Sequence, residues 1–132
     1  MQVKVEINSK QKFEDHEESE KNKCAGEIEY YTKGEVLEFI EEYEEQKIKF
    51  KMKILENKVI IDRNNQTMIL EKNIRTPSTI NTPYGEMKMS VIAKEINIIK
   101  EREEIKQIKL EYEIELENEM KYYNEVIINI SK

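Results

Sequence analysis

The sequence predicts one all-β domain, an antiparallel up-and-down β-barrel of about 8–10 strands. Apolar side chains recur at every second position in several runs, with mostly Lys, Glu and Gln between them; the clearest runs are 48–54, 87–93, 108–116 and 126–130. A period of two is typical of a strand with one buried and one solvated face. The runs follow one another without a strand–helix–strand rhythm, which disfavours a doubly wound α/β fold. Closing the sheet into a barrel removes aggregation-prone edges, and a two-sheet sandwich is the alternative.

The composition fits this fold. With 132 residues the chain is long enough for one domain with its own core. Charged and apolar residues each make up 38% of it, a balance that by itself would also suit disorder. Strict alternation does not arise from disorder, and strands that bury one face need apolar residues at only half of their positions. We therefore expect a folded domain.

The charge distribution narrows the classes of partner. The net charge is −6, with acids and bases interleaved and no basic stripe, so we expect neither a nucleic-acid nor a membrane partner. The single cysteine, Cys24, excludes an intramolecular disulfide and fits a reducing compartment. Residues 1–10 lack the apolar segment of a signal peptide, and no stretch approaches about 18 apolar residues, so we expect a cytoplasmic protein.

The first half of the chain predicts strands over 2–8, 24–33 and 46–55. Residues 9–23 are almost entirely polar and charged, which predicts a mobile loop. The segment 35–44 is ambiguous, since its apolar residues also fit a helix face at spacings of three and four. We favour a strand there, because a hairpin with 46–55 keeps the meander intact.

The second half predicts short strands over 58–62 and 66–73, separated by an Asn-containing turn at 63–65. Two Pro-containing segments, 76–78 and 82–85, bracket a short extended piece. The alternation then slips within 86–100, which predicts a β-bulge near 94–95. A turn at 101–104 leads into a final hairpin of 105–117 and 121–131.

The segment 75–99 carries a resemblance. Its stretches Ser78-Thr79-Ile80 and Tyr84-Gly85-Glu86-Met87-Lys88-Met89, followed by a long strand and a final hairpin, resemble the YwiB-like family of small bacterial proteins. The resemblance covers roughly residues 26–132. It implies a calycin-like barrel related in architecture to lipocalins. It assigns no function, so no functional residue carries over.

Signatures of catalysis or metal binding are weak. His16, the single histidine, lies in the charged segment, where a solvated loop residue is the simplest interpretation. One histidine and one cysteine are too few for a zinc site, and the Glu-rich stretches lack the spaced Asp and Gly of a calcium loop. We therefore predict no catalytic residue, no metal and no cofactor, and regard an enzyme as the weakest hypothesis.

A small apolar ligand inside the barrel is the leading hypothesis, and it rests on fold analogy. Methionine gives an adaptable apolar lining, tyrosine a hydroxyl beside apolar walls, and arginine at strand ends can select polar groups at the mouth. The candidate ligand-binding residues are Met52, Met68, Met87, Met89, Tyr112, Tyr84, Arg63 and Arg75.

The alternative hypothesis is a protein–protein interaction module, acting as a homodimer or as a subunit of a complex. Ile92 and Ile99 lie off the inward phase of the slipped run 86–99. Together they predict an exposed apolar patch.

Overall fold

The computed structural model describes residues 1–64 and 66–132, and at Tyr43 the backbone only. The described residues form ten antiparallel strands: β1 Gln2–Lys12, β2 Glu17–Tyr31, β3 Gly34–Tyr43, β4 Gln46–Leu55, β5 Lys58–Arg63, β6 Gln66–Glu71, β7 Arg75–Thr82, β8 Gly85–Glu101, β9 Glu104–Leu116 and β10 Lys121–Ser131. The fold is all-β, as the alternation predicts.

The strands form one sheet in the order β6-β5-β4-β3-β2-β1-β10-β9-β8-β7. Each strand pairs with its sequence neighbours, except that the first strand pairs with the last and β6 does not form a ladder with β7. Because β6 and β7 are consecutive and in contact, the sheet curls into a nearly closed up-and-down barrel. The seam of the barrel therefore lies in the middle of the chain.

Hydroxyl groups help to close this seam. Thr76 Oγ1 donates a hydrogen bond to the carbonyl of Ile69 at 2.6 Å, and Ser78 Oγ donates one to the carbonyl of Thr67 at 2.7 Å. These bonds satisfy β6 carbonyls that have no ladder partner. Pro77 lies between the two hydroxyl residues, on an edge strand, where the missing N–H is tolerated.

The core fills one end of the barrel. Inward side chains with almost no accessible surface come from most strands: Val5, Ile28, Leu37, Met52, Val59, Leu70, Val91, Ile105, Ile108 and Ile128. Gly34 begins β3, and its backbone lies very close to β4. A Cβ atom at this position would lie 2.1 Å from the carbonyl oxygen of Ile54. Glycine is therefore required at this position.

Most of the predicted elements are confirmed. The ambiguous segment 35–44 is strand β3, which pairs with β4 from Gly34↔Leu55 to Tyr43↔Gln46. The register of β8 against β9 shifts between Ala93 and Glu95, where the bulge is predicted. In the turn between β5 and β6, Asn64 has a φ of 49°, and Asn65 lies outside the described residues.

The expectation of a loop over 9–23 is wrong except at the turn 13–16. β1 runs on to Lys12 and β2 begins at Glu17, and the two strands pair from Gln2↔Glu27 to Lys12↔Glu17. The alternation is missing here because the inward face is itself polar. It carries Gln11, Glu18 and Glu20, which line a cavity rather than the core.

Candidate functional site

The barrel contains a cavity of about 570 Å³ on the side of the β1–β2 hairpin. This volume is within the range of roughly 300–1,000 Å³ that small-molecule sites occupy. Its inner wall is apolar and includes Phe39, Phe50, Met52, Leu110 and Ile128. Its outer rim includes the exposed residues Glu18, Ser19, Glu20 and Arg63, so the cavity opens to solvent at this end.

Strand register arranges the lining in rows. Glu18, Gln11, Asn124 and Tyr112 are successive cross-strand partners on β2, β1, β10 and β9, and all four line the cavity. Two residues further in, the same strands carry Glu20, Ser9, Val126 and Leu110. The lining on β9 and β10 thus changes from polar to apolar with depth, whereas β1 and β2 stay polar in both rows.

The opposite wall repeats this gradient. Phe39, Phe50, Arg63 and Gln66 are successive partners on β3, β4, β5 and β6. The neighbouring row is Leu37, Met52, Ile61 and Met68, which is apolar throughout. Together the two walls form a site with an apolar interior and a polar rim.

A buried carboxylate marks the polar end. Glu41 is 5% exposed, and its Oε2 accepts a hydrogen bond from Arg63 Nη2 at 3.0 Å. A buried carboxylate needs such a partner, since an uncompensated buried charge costs several kcal/mol, on the order of 3–5 when a buried pair is broken. The Arg63 side chain is 47% exposed, so the pair connects the buried wall with the rim.

Two amide side chains in the lining have an unpartnered atom. Asn124 is 6% exposed and its Oδ1 makes no hydrogen bond among the described residues; the same holds for Nδ2 of Asn22. An unsatisfied buried polar atom costs about 1–3 kcal/mol. Both residues line the cavity. The wall of the cavity thus contains a donor and an acceptor with unused hydrogen-bonding capacity.

Tyr112 faces the same polar cluster. Burial raises the pKa of the Tyr112 phenol to about 12; Tyr122 adds to the shift, while the amide of Asn124 and the charge of Arg63 oppose it. The phenol is therefore neutral at physiological pH and can both donate and accept a hydrogen bond.

An aromatic stack lies beside the mouth. The rings of His16 and Phe13 stack at 4.5 Å, and Phe13 stacks on Tyr122, a lining residue, at 5.3 Å. Asp15 accepts a hydrogen bond from His16 at 2.6 Å and raises the pKa of the imidazole. The β1–β2 turn is thereby attached to the rim of the cavity.

Five of the eight candidate residues are brought together by the barrel. Met52, Met68, Met89, Tyr112 and Arg63 all line the cavity. They come from β4, β6, β8, β9 and β5, so the closure of the barrel is what makes them neighbours.

The other three lie outside the lining. Tyr84 is fully exposed at the tip of the β7–β8 hairpin. Met87 lies in the part of this hairpin that extends past β9, whose ladder with β8 ends at the pair Met89↔Leu116. Arg75 is on the outer face, where it donates hydrogen bonds to Ser90 at 2.9 Å and to Glu115 at 3.1 Å.

Sequence reasoning missed Glu41, Asn22 and Asn124. A signal for two of them was present: Glu41 continues the inward phase of Leu37 and Phe39, and Asn124 has the parity of Val126. A polar residue at an inward position of a strand is unusual, which makes it a marker for a site.

Other candidate sites gain no support from the geometry. Cys24 is half-buried, and burial, with a smaller effect of Glu41, raises the pKa of its thiol, so the thiol stays protonated and poorly nucleophilic. His16 lies eight residues away on the same hairpin arm, roughly 25 Å at the rise of an extended strand. Within 1–64 and 66–132 no group of three or more acidic, His or Cys residues is placed to hold a metal ion.

The predicted apolar patch is not contiguous. Ile99 is 45% exposed and Ile92 is half-buried, and their cross-strand partners on β9 are Gln107 and Glu113. The two isoleucines are seven positions apart on β8, with the bulge between them.

As for the membrane, the described chain holds no helix of the length and apolarity that a crossing would take.

The fold and the site define a small all-β protein, a nearly closed antiparallel barrel around an internal cavity. The chain belongs to the family described as Domain of unknown function (DUF1934), which matches residues 5–128. Among solved structures, it is similar to the YwiB protein from Bacillus subtilis, whose crystal structure it matches with a TM-score of 0.76 at 13% identity. This match covers 99% of the chain and 92% of the solved one, and it confirms the fold. No curated protein matches the sequence.

Proposed function

We propose that this barrel is a non-enzymatic binding protein that holds a small, largely apolar molecule in its interior. The observation that carries the proposal is the cavity of about 570 Å³, with an apolar inner wall and a polar rim. A concave site that combines an apolar wall with convergent polar groups is typical of small-molecule binding, and here polar and apolar groups contribute similar shares of the lining. Three methionines in it, Met52, Met68 and Met89, can adapt to the shape of a ligand.

The stability that the barrel loses by having polar residues in its interior also supports this proposal. An inward Glu, two incompletely bonded Asn and a half-buried Tyr occupy positions where apolar residues would stabilise the barrel more. Natural proteins place such groups in their interior mainly at functional sites. Recognition of a bound molecule explains why the core does not extend through the whole barrel.

The test uses N-phenyl-1-naphthylamine, an uncharged apolar dye whose fluorescence rises in an apolar environment. We expect saturable binding to the wild-type protein with one site per chain. Met68→Trp places a large side chain in the cavity and should abolish this binding. Met120→Trp is the matched control, because Met120 is 50% exposed and outside the lining. Equal dye binding by both variants, or none by the wild type, would contradict the proposal.

A further inference from the structure

We propose that the cavity selects molecules whose polar end is a cationic amine, and that it discriminates against carboxylates. This inference rests on the proposed function and specifies the class of ligand. It comes from the charges at the rim, the pairing of the one guanidinium there, and the unpartnered amide oxygen of Asn124.

The charge at the polar end is negative. Among the described residues that line the cavity, the charged ones are three carboxylates, Glu18, Glu20 and Glu41, and one guanidinium, Arg63. Oppositely charged groups attract strongly where low-dielectric walls focus the field. A cation entering the mouth is therefore favoured, and a carboxylate meets like charges on β2.

Arg63 is already paired with a carboxylate in the wall of the cavity. Its Nη2 lies 3.0 Å from Oε2 of Glu41, which is almost completely buried. A ligand carboxylate that took Arg63 for itself would leave the Glu41 charge buried without this partner, which is strongly unfavourable. The positive charge of Arg63 is thus offset by Glu41, and the pair adds no net charge that would attract an anion.

The acceptors at the polar end suit an ammonium group. An ammonium carries three N–H donors and no acceptor. Asn124 is 6% exposed and its Oδ1 makes no hydrogen bond among the described residues, so this oxygen keeps the capacity to accept from such a donor. Glu18 on β2 lies in the same cross-strand row as Asn124 on β10, and Gln11 on β1 lies between them. His16 Nε2 lies 3.3 Å from Glu18 Oε1, which leaves the other carboxylate oxygen to accept.

The experiment compares three probes that share a twelve-carbon chain and differ in the polar end: dodecylamine, 1-dodecanol and dodecanoic acid. Each probe is used to displace N-phenyl-1-naphthylamine from the protein at pH 7 and low salt. We expect dodecylamine to displace the dye at a concentration about tenfold lower than dodecanoic acid, with the alcohol between them. A carboxylate that displaces equally well or better, from a protein that still binds the dye, overturns this inference and leaves the proposed function standing. Failure of the dye itself to bind overturns both.

Two paired variants separate the site from the overall charge. Glu18→Gln/Glu20→Gln removes two lining carboxylates and should reduce the preference for the amine severalfold. Glu17→Gln/Glu27→Gln makes the same change of net charge at exposed positions of β2 that do not line the cavity. This control should keep the wild-type preference. An equal loss in both pairs would show that net charge alone sets it and would overturn the inference.

Discussion

The buried amide of Asn124 gives the clearest prediction about stability. Asn124 is 6% exposed with an unpartnered Oδ1, which costs about 1–3 kcal/mol. Replacing Asn124 alone would leave the Tyr112 phenol without its neighbour across the strand pair. The informative variant is therefore Tyr112→Phe/Asn124→Leu, which replaces both polar groups by apolar groups of similar shape. We expect it to stabilise the protein by about 1–3 kcal/mol, because apolar substitution of both partners removes the desolvation cost.

The assay is equilibrium unfolding in urea, followed by far-UV circular dichroism because the chain has no tryptophan. For a domain of this size the gain corresponds to a rise of roughly 3–10 °C in Tm. Asn129→Leu is the matched control on the same strand, since Oδ1 of Asn129 accepts a hydrogen bond from Gln107 at 2.9 Å. It should destabilise the protein slightly, by about 1 kcal/mol.

The same double variant should bind dodecylamine more weakly than the wild type, since it lacks the acceptor at the polar end. Higher stability together with weaker binding is the expected signature of a group kept for function. A double variant that is less stable than the wild type by about 1 kcal/mol or more would contradict this prediction. It would show that the amide and the phenol form a satisfied structural pair.

Three further predictions concern the seam, the phenol and the turn. Thr76→Val removes the hydroxyl that bonds to a β6 carbonyl and should cost about 1 kcal/mol, whereas Thr79→Val on the exposed face should cost almost nothing. The raised pKa of Tyr112 means that the unfolded chain loses its phenolic proton first, so this contribution to stability is complete below about pH 10 and is lost as the pH rises towards 12. The stability of the wild type relative to Tyr112→Phe should therefore fall across that window in urea titrations. NMR titration of His16, the single histidine, should give a pKa above 6.5 that decreases in Asp15→Asn.

Each of these three predictions would be contradicted by a specific result. Equal losses of stability in the two threonine variants would show that the seam hydroxyl contributes nothing. A wild-type advantage over the phenylalanine variant that is constant or grows up to pH 12 would place the phenol in contact with solvent. An unchanged histidine pKa in the asparagine variant would mean that the contact with Asp15 does not hold the imidazole.

Most of the barrel was predictable because its strands bury one face. The alternation of apolar residues in β4, β8, β9 and β10 reports directly on burial, and the slip at 94–95 reports on the bulge. The hairpin of β1 and β2 was not predictable in this way, because both faces of Glu17–Lys23 are polar. This part of β2 is stabilised by its hydrogen-bonded ladder with β1. Backbone hydrogen bonds do not produce a pattern of apolar residues in the sequence.

The site was predictable only in part. The alternation places Met52, Met68, Met89 and Tyr112 on the inward faces of their strands, but it also places Met87 there, which lies outside the lining. It could not show that the apolar residues stop short of one end and leave a cavity, because this depends on how the closed barrel is packed. The ion pair of Glu41 with Arg63 joins residues 22 positions apart, which no local pattern connects.

Native mass spectrometry of the protein purified from its own host tests the central claim most directly. Wild-type protein and Met68→Trp, prepared in parallel, should differ in one respect. We expect a discrete mass increment on the wild type that disappears on unfolding and is missing from the variant with the filled cavity. A bare mass for both proteins, or the same increment on both, would contradict the claim that the barrel interior is a binding site.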